Sequence, residues 1–131
     1  MSKKKFLIAD RLGGVCKNQS GLFTPGHEKH YLKITITNTE TGEQFTRRKT
    51  YQYNPTATRF RAGDGVLAVL LDAQSYANTV GFLDFCREFG YSVDSPKARG
   101  AFRSCKASYE FFKSAGMSDS EMGQELQDRD Q

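Results

Sequence analysis

An α+β fold is predicted: a small N-terminal antiparallel sheet packed against three to four C-terminal helices. Three observations predict it. Leu32, Ile34 and Ile36 alternate with Lys33, Thr35 and Thr37, the period-two pattern of a half-buried strand. From residue 64 onward, apolar residues recur at helical spacing between cap signals. The strands come first and the helices follow, and this segregation argues against an alternating α/β sheet.

Lys5 to Asp10 reads as a short strand, with Phe6 and Ile8 on one face and Leu7 on the other. Arg11 to Lys29 has poor periodicity and contains Gly13-Gly14, Gly21 and Pro25-Gly26, so it reads as a long loop, with room for a short strand near Gly14–Cys16. Tyr31 to Asn38 is the clearest strand, and Thr39-Glu40-Thr41-Gly42 a hairpin loop with Gly42 supplying a positive φ. The return strand runs from Glu43 to Tyr53. Phe45, Tyr51 and Tyr53 share one parity with Arg47 and Lys49, which leaves its buried face open. Asn54-Pro55 ends it, because proline donates nothing to a ladder.

In the second half, Asp64 is a cap for a helix over residues 65–76 with Val66, Val69, Leu70 and Ala73 on one stripe. Thr79 is a cap for a second, carrying Phe82, Phe85, Cys86 and Phe89 and stopped by Gly90. Ser95-Pro96 opens a third, whose stripe is Ala98, Ala101, Phe102, Cys105, Tyr109 and Phe112. Ser118-Asp119-Ser120-Glu121 is a capping box for a short last helix. The polar tail after Leu126 is expected to fray. The 131 residues are expected to form a single domain, strand-rich over 1–54 and helical over 64–126.

A composition of 37% apolar and 26% charged residues is that of a globular chain able to bury a core. There is no apolar run long enough to span a membrane. Phe6 to Ala9, after a basic start, is too short for a signal-peptide apolar region, so the expected location is the cytoplasm. Cys16, Cys86 and Cys105 are an odd number without a CxxC pair, read as small buried thiols and not a disulfide framework.

Enzymatic constellations are weak. His27-Glu28-Lys29-His30 with Cys16 invites a zinc reading. The spacing misses the metalloprotease motif, though, and no fourth ligand stands at a structural-zinc spacing, so no metal is expected. Cys86 and Cys105 sit among phenylalanines that favour the neutral thiol. Gly13-Gly14 lacks both the dinucleotide and the P-loop pattern. Asp64 would oppose an anion at the helix start after Arg61. Asp84 and Glu88 read as a solvated face. The expectation is a protein without catalytic residues or cofactor.

The feature with substance is charge. Residues 1–63 hold 12 Lys/Arg and 4 Asp/Glu, a balance of +8, and residues 64–131 hold 7 and 11, a balance of −4. Arg47-Arg48-Lys49 precede Tyr51 and Tyr53, and Arg59-Phe60-Arg61 follow. Basic residues interleaved with aromatics suit phosphate neutralisation and base stacking. Arg99, Arg103, Lys106 and Lys113 form a second stripe, interrupted by Glu110. The candidate binding residues are Arg47, Arg48, Lys49, Tyr51, Tyr53, Arg59, Arg61, Arg99, Arg103 and Lys106. No helix-turn-helix, zinc-finger or RRM core is present, so nucleic acid and an acidic protein partner both stay open. The oligomeric state is not legible.

Phe82-Leu83-Asp84-Phe85-Cys86-Arg87-Glu88-Phe89-Gly90-Tyr91, followed by Asp94-Ser95-Pro96-Lys97-Ala98, resembles a stretch found in a set of small uncharacterised bacteriophage and prophage proteins, F-x-D-F-C-x-x-F-G-Y-x-x-D-S-x-K-A. The resemblance extends from about Tyr31 to Phe112. It carries no catalytic residue. It implies an accessory phage protein that acts by stoichiometric binding to a host protein or ribonucleoprotein complex, as an inhibitor of a host defence system of the anti-CRISPR kind. The alternative is a nucleic-acid-binding protein using the basic and aromatic hairpin.

Overall fold

The computed structural model describes residues 4–16, 29–52 and 64–129. The chain divides into two compact units, Met1–Val66 and Leu67–Gln131. Among the described residues the architecture is α+β: a three-stranded antiparallel sheet, then four helices.

The first unit holds the sheet, in the order β1 (Phe6–Cys16), β2 (Lys29–Asn38), β3 (Gln44–Gln52). β1 runs six residues beyond the expected end at Asp10. The pairing Leu12 with Leu32 is followed by Val15 with His30, so Gly13-Gly14 is taken up as a one-residue bulge and not as a turn. β2 likewise begins at Lys29, inside the expected loop.

The hairpin between β2 and β3 is closed by Asn38. Its side-chain oxygen accepts from the N–H groups of Glu40 (2.9 Å) and Thr41 (3.2 Å), and its carbonyl accepts from Gly42 at 2.7 Å. Gly42 sits at φ 78°, where a Cβ would be strained.

Phe6, Ile8, Leu32, Ile34 and Ile36 are buried. They share one face, because Ile8 pairs with Ile36 and Leu32 follows two residues before Ile34. Each such burial contributes about 1.5–3 kcal/mol. The same face carries Asp10, opposite Ile34. Its carboxylate accepts from the backbone N–H of Gly65 (2.8 Å) and of Val66 (3.1 Å), the first turn of α1 (Asp64–Ala77). The expected cap, Asp64, is instead the first helical residue. A residue distant in sequence satisfies the orphan donors.

The second unit holds the rest of α1, then α2 (Gly81–Phe89), α3 (Pro96–Ser114) and α4 (Asp119–Arg129). Val69, Leu70 and Ala73 of the α1 stripe are buried, as their spacing predicts. Thr79 does not cap α2. Its hydroxyl donates to the carbonyls of Ser75 and Tyr76 and closes α1, while Val80 takes the cap position and its N–H donates to Asp84 at 2.9 Å.

Gly90 ends α2 at φ 73°, and the Ser95 hydroxyl accepts from the Ala98 N–H as α3 begins behind Pro96. Phe85 packs against Phe89, Tyr91 and Phe102, with ring centroids 4.9, 5.9 and 5.3 Å away. Phe85 and both helical cysteines are buried, whereas Phe82 and Phe102 are half-buried.

The capping box forms as read: Glu121 N–H donates to the Ser118 hydroxyl and Ser118 N–H to the Glu121 carboxylate. α4 then continues to Arg129, past the expected fraying at Leu126. Side-chain bonds from Gln124 to Asp128 (2.9 Å) and from Arg129 to Glu125 (2.8 Å) support its last turn.

Candidate functional site

Strand register decides which of the basic residues can act together. In the sheet, residues directly opposite one another lie on the same face. Arg47 pairs with Ile34, and Ile34 with Asp10, so Arg47 lies on the buried face. Its Nε is buried without a hydrogen-bond partner. Lys49 pairs in register with Leu32, and Tyr51 with His30. Arg48 has the opposite parity. The consecutive triplet read as one basic cluster is therefore divided between the two sides of the sheet, and Arg47 is separated from Arg48.

The other face is open to solvent. Three rows of three cross the strands next to the β2–β3 hairpin, and the register continues beyond them through Tyr31 opposite Thr50 and Lys29 opposite Gln52. Leu7, Thr37 and Gln44 make the first row, Ala9, Thr35 and Thr46 the second, and Arg11, Lys33 and Arg48 the third. None of these nine side chains is buried, and none is acidic. The Gln44 amide donates to the Thr37 hydroxyl at 3.3 Å, the contact their shared row requires.

In the third row, three cations stand abreast on neighbouring strands. Strands are spaced about 4.7–4.9 Å apart, so the row spans roughly 10 Å. Like charges placed directly opposite destabilise a sheet. Among the described residues no ion pair reaches Arg11 or Lys33. This is a concentrated positive potential on a polar platform of threonine hydroxyls.

The α3 stripe differs in kind. Arg99, Arg103 and Lys106 are exposed, but Lys106 lies 3.9 Å from Glu110 on its own helix, and Lys113 lies 3.4 Å from Asp119. Asp119 also accepts a 2.7 Å hydrogen bond from the Tyr109 hydroxyl. That bond holds the Asp119 carboxyl below the usual carboxylate range and raises the Tyr109 phenol above its ordinary value. The stripe's charge is partly spent within the helical unit.

Tyr53, Arg59 and Arg61 lie outside the described residues, as do His27 and Glu28. Among the described residues no group of three His, Cys, Asp or Glu side chains is placed to hold a metal ion. No single described helix is long and apolar enough to cross a membrane.

Sequence reasoning missed Arg11 and Lys33. Lys33 was visible as a polar member of the alternating strand. Arg11 was hidden by reading Gly13-Gly14 as a turn. No family model, curated protein or solved structure matches this chain.

Proposed function

We propose that this protein is a non-enzymatic binding protein whose contact surface is the open face of the sheet, and that its partner presents an anionic surface. The observation that carries the reading is the row Arg11, Lys33, Arg48, three cations abreast with no carboxylate among the described residues of that face. A ligand that neutralises Arg11 and Lys33, which no ion pair reaches among the described residues, removes a repulsion between them. The resemblance of the Phe82–Ala98 stretch to phage and prophage proteins supplies the context. The partner is a host protein or ribonucleoprotein met in the host cytoplasm, and binding inhibits a host defence system of the anti-CRISPR kind.

The test is capture from host lysate with the wild-type chain, the double variant R11E/K33E and the α3 variant R99E/R103E. The partner is retained by wild type and by the α3 variant and lost by R11E/K33E. Retention by R11E/K33E, with loss on α3, moves the contact surface to the helical unit.

A further inference from the structure

We infer that the helical unit carries a docking surface of its own, a row of half-buried aromatic rings bordered by two arginines, and that its occupant is an amphipathic helix with an acidic edge on a partner protein. The inference is independent of the sheet face, since every residue it uses lies in the Leu67–Gln131 unit.

Four rings from α1, α2 and α3 follow one another. Phe82 meets Phe102 at 5.5 Å between centroids, Phe102 meets Tyr76 at 5.6 Å, and Tyr76 meets Tyr109 at 5.2 Å. Phe102 and Tyr109 stand two turns apart on α3, a rise of about 10.5 Å. The two links through Tyr76 cover about that same length, so its ring lies close to the straight path between them. All four rings are half-buried and keep part of their surface in water. Leu83, the residue after Phe82, is 66% exposed. Apolar surface of this kind, rimmed by polar residues, marks a contact with another protein.

Spacing selects the occupant. Successive rings are 5.2 to 5.6 Å apart, and an α-helix repeats about every 5.4 Å. A helix laid along the row sets one side chain per turn against it, as helices seated in grooves do. The rings are tilted to one another by 49°, 55° and 72°, so they present notches between edges and not the parallel faces on which bases stack. Charge then sets the character of that helix. Arg99 and Arg103 are exposed one turn apart on the stripe of α3 beside Phe102, and among the described residues no ion pair reaches either. Lys106 and Glu110, farther along the stripe, offset each other at 3.9 Å. An aromatic centre with a charged rim is the anatomy of a protein interface, and two unpaired arginines on the rim match carboxylates on the partner.

The experiment titrates the full chain with a labelled synthetic peptide that carries leucines at i, i+4, i+7 and i+11 and glutamates along one edge. Parallel probes are a scrambled peptide of the same composition, a peptide with lysine in place of each glutamate, and single-stranded DNA. The acidic amphipathic peptide binds best, gains helicity on binding, and moves the amide signals of Tyr76, Phe82, Phe102 and Tyr109. R99Q/R103Q weakens it by about tenfold at low salt, and R99K/R103K restores most of the loss. Thermal melts check the folding of both variants, and the peptide controls test the assignment on the unaltered chain. Equal binding of the scrambled peptide overturns the helix, and equal binding of the lysine peptide overturns the acidic edge. Amide changes confined to the sheet strands overturn the site. Single-stranded DNA bound through Arg99 and Arg103, with the peptide not bound, overturns the protein partner. A chain that is dimeric by itself, and monomeric as R99Q/R103Q, overturns the foreign helix in favour of a second copy. Binding of none of the probes overturns the docking surface and leaves the sheet-face reading untouched.

Discussion

The carboxylate of Asp10 on β1 accepts a 2.8 Å hydrogen bond from the backbone N–H of Gly65, 55 residues later in the chain. Asp10 thereby caps the first turn of α1. An ideal Cβ on Gly65 would lie 2.5 Å and 2.8 Å from the two methyls of Leu32, so the absence of a side chain at 65 permits this approach.

Removing the cap is expected to cost about 0.5–2 kcal/mol in Asp10→Ala, and much less in Asp10→Asn, which keeps an acceptor oxygen. Gly65→Ala sets two effects against each other. Helix propensity favours alanine by about 1 kcal/mol, whereas overpacking costs typically about 1–3 kcal/mol. Leu32 is itself buried and has little room to yield, so the substitution destabilises. Urea denaturation of the variants checks both signs. A Gly65→Ala chain more stable than the parent contradicts the close approach.

Phe85 is the centre of its aromatic cluster, and Phe82 is a half-buried member that meets Phe102 edge-on at 5.5 Å. Phe85→Ala is expected to cost about 3–5 kcal/mol. Phe82→Ala costs less, because part of its surface is already in water. Equal losses in chemical denaturation would mean that the helix register does not decide burial here.

The Tyr109–Asp119 hydrogen bond links the α3 surface to the first turn of α4. Asp119 titrates below the ordinary carboxylate value of 3.8 in the folded chain, so its contribution is present above that value and is lost as pH falls through the folded pKa. Tyr109 titrates above 10.0, so its contribution is complete below pH 10.0 and is lost as pH rises through the folded pKa. Both effects are small, because the Asp119 side chain is well exposed. Melting temperatures of wild type and Tyr109→Phe should converge at both pH extremes and differ most near neutrality. A constant difference across pH would contradict the linkage.

Arg47 and Arg48 are neighbours in sequence with different tasks. Arg47→Met replaces a buried, unpartnered Nε by an apolar stem of similar length, so stability is expected to hold or rise and binding to stay. Arg48→Met loses binding, because the side chain stands on the open face. Measuring each variant for melting and for affinity toward polyglutamate, an anionic probe, separates the faces. Loss of affinity in Arg47→Met would put both arginines at one site.

What could be read from the sequence was local. Gly90, Ser95-Pro96 and the Ser118–Glu121 box each act within a few residues of themselves, and all three took the expected form. The face of β3 could not be read, because Phe45 shares parity with Arg47 and Lys49. Only the register with Ile36, Ile34 and Leu32 resolves it. The helix cap by Asp10 and the addition of Arg11 to the basic row both depend on partners from other strands or helices. A bulge at Gly13-Gly14 and a turn there look alike in one dimension. The sequence showed where positive charge lies along the chain, and the sheet decides which charges meet.

The most direct measurement of the central claim is amide chemical-shift mapping on the isotope-labelled full chain as polyglutamate, an anionic probe, is added. The account predicts that the largest changes fall at Arg11, Lys33, Thr35, Thr46 and Arg48, with α3 little affected. Changes concentrated at Arg99, Arg103 and Lys106, with the sheet unmoved, would contradict it.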